Sequence, residues 1–125
     1  MNINKQIEYW KSGSSTDIET AEILIEKEKY LHGLFFCHLA IEKILKAIYV
    51  KHNKRLAPKT HDLIYLTEHS ELELEEKYLK FLPVLMKYQL EGRYPEYSPS
   101  IPSKEKMNEY LKKTKDLLLW LIQKL

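Results

Sequence analysis

Residues 31–52 carry more apolar surface than one side of a helix can hide. Leu34, Cys37, His38, Ile41, Leu45 and Ile48 recur at helical spacing, and Phe35, Phe36, Leu39 and Tyr49 widen the stripe. A helix this apolar must be buried on more than one side. It is predicted to be the central helix of a bundle or half of a dimer interface. Phe35, Phe36, His38, Ile41 and Leu45 are its core or interface residues. Glu42 and Lys46, four apart in the favourable order, add a helical ion pair worth about 0.3–0.5 kcal/mol.

The rest of the chain reads as further helices around this one. Residues 3–30 alternate Ile18, Ala21, Ile23, Leu24 and Ile25 with Asp17, Glu19, Glu22, Glu26 and Lys27, an amphipathic pattern. Ser12, Gly13, Ser14 and Ser15 interrupt it, so the helix is expected to bend there or to start there with a Ser or Thr cap. After a basic connection (residues 51–60), Pro58 forbids a continuous helix, and Thr60 is the expected cap of a short helix opening at His61. Leu63, Ile64 and Leu66 form the apolar face of that helix. The next helix is predicted from Leu72 or Leu74 to Tyr88, with Leu79, Leu82, Leu85 and Met86 inward and a kink at Pro83. Residues 92–102 hold three prolines and two tyrosines and form the one long loop. A last helix runs from near Ser103, with Tyr110, Leu111, Thr114, Leu117, Leu118, Leu121 and Leu125 inward.

At 125 residues the chain is one domain in size, and no strand-like alternation occurs. The predicted fold is all-α, an antiparallel up-and-down bundle of four to five helices, with residues 1–125 as a single domain. Charged residues make up 30% of the chain, yet the net charge is only +2, so charge alone does not argue for nucleic acid. The lone Cys37 excludes an internal disulfide and is expected to be a buried structural thiol. No apolar run approaches the ~20 residues that span a bilayer. A soluble, cytoplasmic protein without a membrane partner is the expectation.

Several polar residues qualify as site candidates. His61 and Asp62 open a helix, where Asp62 suits the positive helix end and His61 would pack beside the basic loop. His38 lies on an apolar face, as a core or interface histidine would. Lys51, His52, Lys54, Arg55 and Lys59 form the densest basic cluster, either a solvated connection or a phosphate contact. Arg93 offers a planar fork for phosphate and Tyr94 a face for a base. The alternative gives Tyr94 and Tyr97 the work of anchoring the long loop, with Arg93 paired to an acid such as Glu42. The five histidines show no metal-ligand spacing, so neither metal nor cofactor is expected.

Three stretches together resemble the HEPN family. They are Leu34-Phe35-Phe36-Cys37-His38-Leu39-Ala40-Ile41-Glu42-Lys43-Ile44-Leu45-Lys46-Ala47, then Pro58-Lys59-Thr60-His61-Asp62-Leu63, then Arg93-Tyr94-Pro95-Glu96-Tyr97. The resemblance spans residues 17–125. It implies a helical bundle that pairs as a homodimer and works with a small nucleotidyltransferase, as in toxin–antitoxin modules. It also implies association with nucleotide or RNA, for which Arg93, Tyr94, Lys54, Arg55, Lys59 and His61 are the candidate contacts. Ribonuclease members carry Arg, four to six residues, then His; here only Arg55 and His61 have that spacing, and they fall in the connection rather than on a later helix. The expected function is accordingly a nucleotide- or RNA-associated module that is not strongly catalytic. The alternatives are a metal-independent endoribonuclease toxin with Arg55 and His61 or Arg93 as its charged players, and a dimeric interaction scaffold.

Overall fold

The first chain reversal shows how closely the bundle is packed. The computed structural model describes residues 1–91 and 93–125; Gly92, which the sequence places in the long loop, lies outside the described residues. Helix α1 (Ile3–Glu26) turns back through Glu28, in the left-handed region at φ 62°, into α2 (Tyr30–Asn53). A Cβ on Gly33 would stand 2.5 Å from Ile25 Cγ1, so only glycine allows this approach. Further along, Ser14 meets Ala40 and Trp10 meets Lys46, so the two helices run antiparallel.

Asn2 caps α1 by accepting from the Lys5 N–H. The helix then passes unbroken through residues 12–15, against the expectation of a start or bend there. Tertiary contacts outweigh the poor local propensity. The Ser14 hydroxyl is buried and donates to the Ala40 carbonyl at 2.7 Å. Gly13 leaves room for the Lys43 side chain, whose ammonium reaches Asp17 at 2.7 Å. Ile23, expected on the apolar face, is exposed.

α2 ends at Lys54, which adopts the left-handed conformation at φ 57°. The short helix α3 (Leu63–Glu68) is capped by Asp62, not by Thr60. One Asp62 carboxylate oxygen accepts from both the Ile64 and Tyr65 N–H groups at 3.0 Å, and its charge suits the positive helix end. Thr60 instead accepts from the Asp62 N–H, shaping the turn that leads in. Leu63 and Leu66 face inward while Ile64 points to solvent.

α4 (Glu76–Met86) begins later than Leu72 or Leu74, both of which pack against the core without being helical. Its buried stripe is Tyr78, Phe81, Leu82 and Leu85, an i, i+3, i+4, i+7 set. Leu79 falls outside that set and is half-exposed, contrary to expectation. Pro83 sits inside the helix on the same outer side, so the carbonyl that it deprives of a donor lies toward water. A 3-10 turn (Pro95–Tyr97) precedes α5 (Lys104–Ile122), which Ser103 caps.

Tyr78 lies near Trp120 and Tyr88 near Tyr110, so α4 runs antiparallel to α5. Cys37 meets Thr114 and Lys51 meets Leu125, so α5 runs alongside α2 in the same direction. The long helices thus alternate up, down, up, down, and α2 touches α1, α3, α4 and α5. The fold is all-α, with five α-helices and no strand among the described residues. None of these helices is long and apolar enough to cross a membrane. Leu34, Cys37, Ile41, Ile44 and Leu45 have no solvent exposure, which makes α2 the core of one chain. Burial pushes the Cys37 thiol up to about 12.

Candidate functional site around His61

A carboxylate inside an apolar helix face has to be compensated. Glu42, 3% exposed, is met by two donors and flanked by a third side chain. Lys46, one turn on, donates from Nζ to Oε2 at 3.1 Å and is itself buried. His61, at the end of the α2–α3 connection, donates from Nδ1 to Oε1 at 2.8 Å. His38, one turn back and fully buried, faces Oε1 from Nδ1 at 3.8 Å. From sequence, Glu42 and Lys46 are a helical pair of small worth; burial makes them an internal ion pair of another order. Lys46 also stands 5.1 Å from the centre of the Trp10 ring, a contact from α1.

His38 locks the connection in place by donating from Nε2 to the His61 carbonyl at 3.1 Å. That bond leaves its Nδ1 buried without a hydrogen-bond partner. Burial lowers the His38 pKa below its ordinary value of 6.5, against the opposing pull of Glu42, while Arg93 adds to the lowering. Below pH 6.5 the unfolded chain takes up a proton at His38 that the folded chain refuses, so this contribution to stability is lost as pH falls. Urea unfolding from pH 8 to 5 should show stability declining below pH 6.5, with a shallower decline in His38→Gln, whose amide can still donate. Equal slopes for both proteins would remove His38 as the cause.

His61 is the group of this network that reaches water, its side chain 47% exposed. With Nδ1–H given to Glu42, Nε2 is the ring nitrogen turned outward. Glu91 lies 3.6 Å from that nitrogen. His61 therefore packs on Glu42, not merely beside the basic loop. Arg93 does not pair with Glu42: its guanidinium donates to the Met86 carbonyl at 3.2 Å and the Tyr97 carbonyl at 3.4 Å. Its charge nonetheless acts on His38, so α2, the α2–α3 connection and the segment after α4 converge here. Tyr94 and Tyr97 are 68% and 66% exposed and do not anchor their loop to the bundle.

The remaining candidates are scattered. Lys54, Arg55 and Lys59 are exposed along the connection. Lys51 donates to the Leu125 carbonyl at 2.5 Å, and His52 lies 3.6 Å from Glu71. His38, Ile41 and Leu45 are inside the chain, whereas Phe35 and Phe36 are half-buried and meet edge to face with centres 5.7 Å apart. Sequence reasoning missed Glu42 as the hub of the network. The available signal was a carboxylate four residues after His38 within an apolar stripe. Trp10 and Glu91 gave no comparable signal.

Comparison with known proteins agrees with this architecture. The crystal structure of TT1696 from Thermus thermophilus superposes with a TM-score of 0.80 over 100% of both chains at 20% identity, a likeness of fold. No curated protein matches the chain at a significant level. The sequence model of the HEPN domain matches residues 7–125, nearly the whole chain. The protein belongs to the HEPN domain family.

Proposed function

We propose that the protein is a nucleotide- or RNA-associated HEPN module, with residues 1–125 as one domain, that is not strongly catalytic. It works as a homodimer in the cytoplasm beside a small nucleotidyltransferase, in a system of the toxin–antitoxin type. Membership of the family supports the nucleotide or RNA association in general, and HEPN proteins are generally dimeric. The observation that carries the reading is the outward Nε2 of His61, its ring held by buried Glu42, with the charge of Arg93 in electrostatic reach of the same network. The Arg93 guanidinium suits a phosphodiester or a nucleotide phosphate, and the His61 ring adds a donor from Nε2 when it carries a second proton. The exposed Lys54, Arg55 and Lys59 lie on the connection that ends at His61.

Fluorescence anisotropy with a labelled single-stranded RNA, with nucleotides as competitors, tests the reading. Binding should weaken with salt and fall several-fold in Arg93→Ala. An absence of binding to RNA and to millimolar nucleotide alike would sink it. Co-purification with a nucleotidyltransferase tests the partner separately.

One feature favours a second reading, as a metal-independent endoribonuclease. A carboxylate that fixes a histidine tautomer is the arrangement in which imidazole serves as a general base. In this reading His61 takes the proton from a ribose 2′-hydroxyl, and Arg93 stabilises the phosphate charge. RNA cleavage by the wild type that vanishes in His61→Ala would favour it; an inert wild type would discard it.

A further inference from the structure

The end of α4, the loop after it and the first turns of α5 enclose a cleft of about 530 Å³. That size lies in the range of about 300–1,000 Å³ usual for small-molecule sites. Lys87, Arg93 and Lys106 bring positive charge to its wall, Tyr88 and Tyr110 bring rings, and Ser100 a hydroxyl. No carboxylate lines it among the described residues. The two carbonyl bonds of Arg93 set its plane and use only part of its five-donor fork. Lys106 lies 5.6 Å from the centre of the Tyr110 ring and pairs loosely with Glu109 at 3.4 Å on the exposed side. α5 also starts at this cleft, between Pro102 and Lys106, and its positive end adds to the potential there.

A second basic cleft, at Lys51, His52, Lys54 and Lys124, provides a contrast. It lies where α2 and α5 end, and the negative ends of both helices oppose an anion. Lys51 there is already turned to the Lys124 and Leu125 carbonyls. Helix direction therefore decides between two clefts of similar charge.

We propose that the α4–α5 cleft binds a mononucleotide, its phosphates held by Lys87, Arg93 and Lys106 and its base laid against Tyr110. This rests on the nucleotide-associated reading above and gives it a place. Arg93 lines this cleft, and its charge also acts on His38.

Titration calorimetry on the full chain with ADP, pyrophosphate and adenosine tests the assignment. ADP should bind more tightly than either fragment, with affinity falling as salt rises. Lys87→Ala combined with Lys106→Glu should weaken ADP at least tenfold. Lys80→Glu, a reversal on the outer face of α4, should leave it unchanged. Lys106→Glu places an acid at the third position of a Ser-capped helix, which favours the helix, so weakened binding would not reflect unfolding. Undiminished ADP binding in the double variant, or pyrophosphate binding as tight as ADP, overturns the proposal. A wild type that shifts RNA but ignores ADP overturns it while leaving the functional reading intact. Failure to bind either removes both.

Discussion

Replacing Glu42 with alanine is expected to cost about 3–5 kcal/mol of folding free energy, because it strands a buried ammonium. Lys46 is 6% exposed, and the Glu42 carboxylate is the anion that holds its charge inside the bundle. An exposed helical pair would lose only about 0.3–0.5 kcal/mol, so burial decides the size of the effect. A domain with about 5–15 kcal/mol in hand loses a large share of its margin. Glu42→Gln should fall between, since the amide still accepts from Lys46 but leaves its charge unpaired. The double replacement Glu42→Leu with Lys46→Leu should recover much of the loss, because no charge then remains to be buried. His61, half-exposed, can turn its freed Nδ1–H to water. Urea unfolding followed by circular dichroism at pH 7.5 reads all three variants. A cost below about 1 kcal/mol for Glu42→Ala would mean that water reaches Lys46 and that the pair behaves as a surface one.

This network also marks the boundary of what the sequence could tell. The helices were legible because their apolar residues repeat at helical spacing, and α2 stood out because its stripe is too wide for one face. The unbroken course of α1 was not legible. It depends on the Ser14 hydroxyl finding the Ala40 carbonyl and on Lys43 lying over Gly13, contacts between residues far apart in the chain. Leu79 was misplaced because the leucines alone suggested one stripe, whereas Tyr78 and Phe81 define another. For the site, His61 and Arg93 were visible as residue types able to meet phosphate. Their convergence was not, because it is set by the His38 bond to the His61 carbonyl and by the course of the chain after α4. Glu42 was read from its nearest helical neighbour, and a one-dimensional neighbour cannot report that both partners are buried.

The wide apolar face of α2 left one question open, and Leu45→Ala answers it. A residue at a dimer interface and a residue in a core look alike in sequence, but they fail differently when truncated. Leu45 and Ile41 have no exposure within a single chain, so they pack within its own core cluster rather than against a second copy. Leu45→Ala should therefore lower unfolding free energy by about 2–5 kcal/mol, the loss of transfer energy plus the cavity left behind. Leu45→Met, which keeps the volume, should cost less than about 1.5 kcal/mol. The mass measured by light scattering at micromolar concentration should match the wild type for as long as the variant stays folded. The half-buried pair Phe35 and Phe36 supplies the comparison, since a contact between copies could engage those rings without opening the core. If Leu45→Ala instead shifted the protein from dimer to monomer with little change in unfolding energy, α2 would have to be an intersubunit surface, and its central place in the bundle would be wrong.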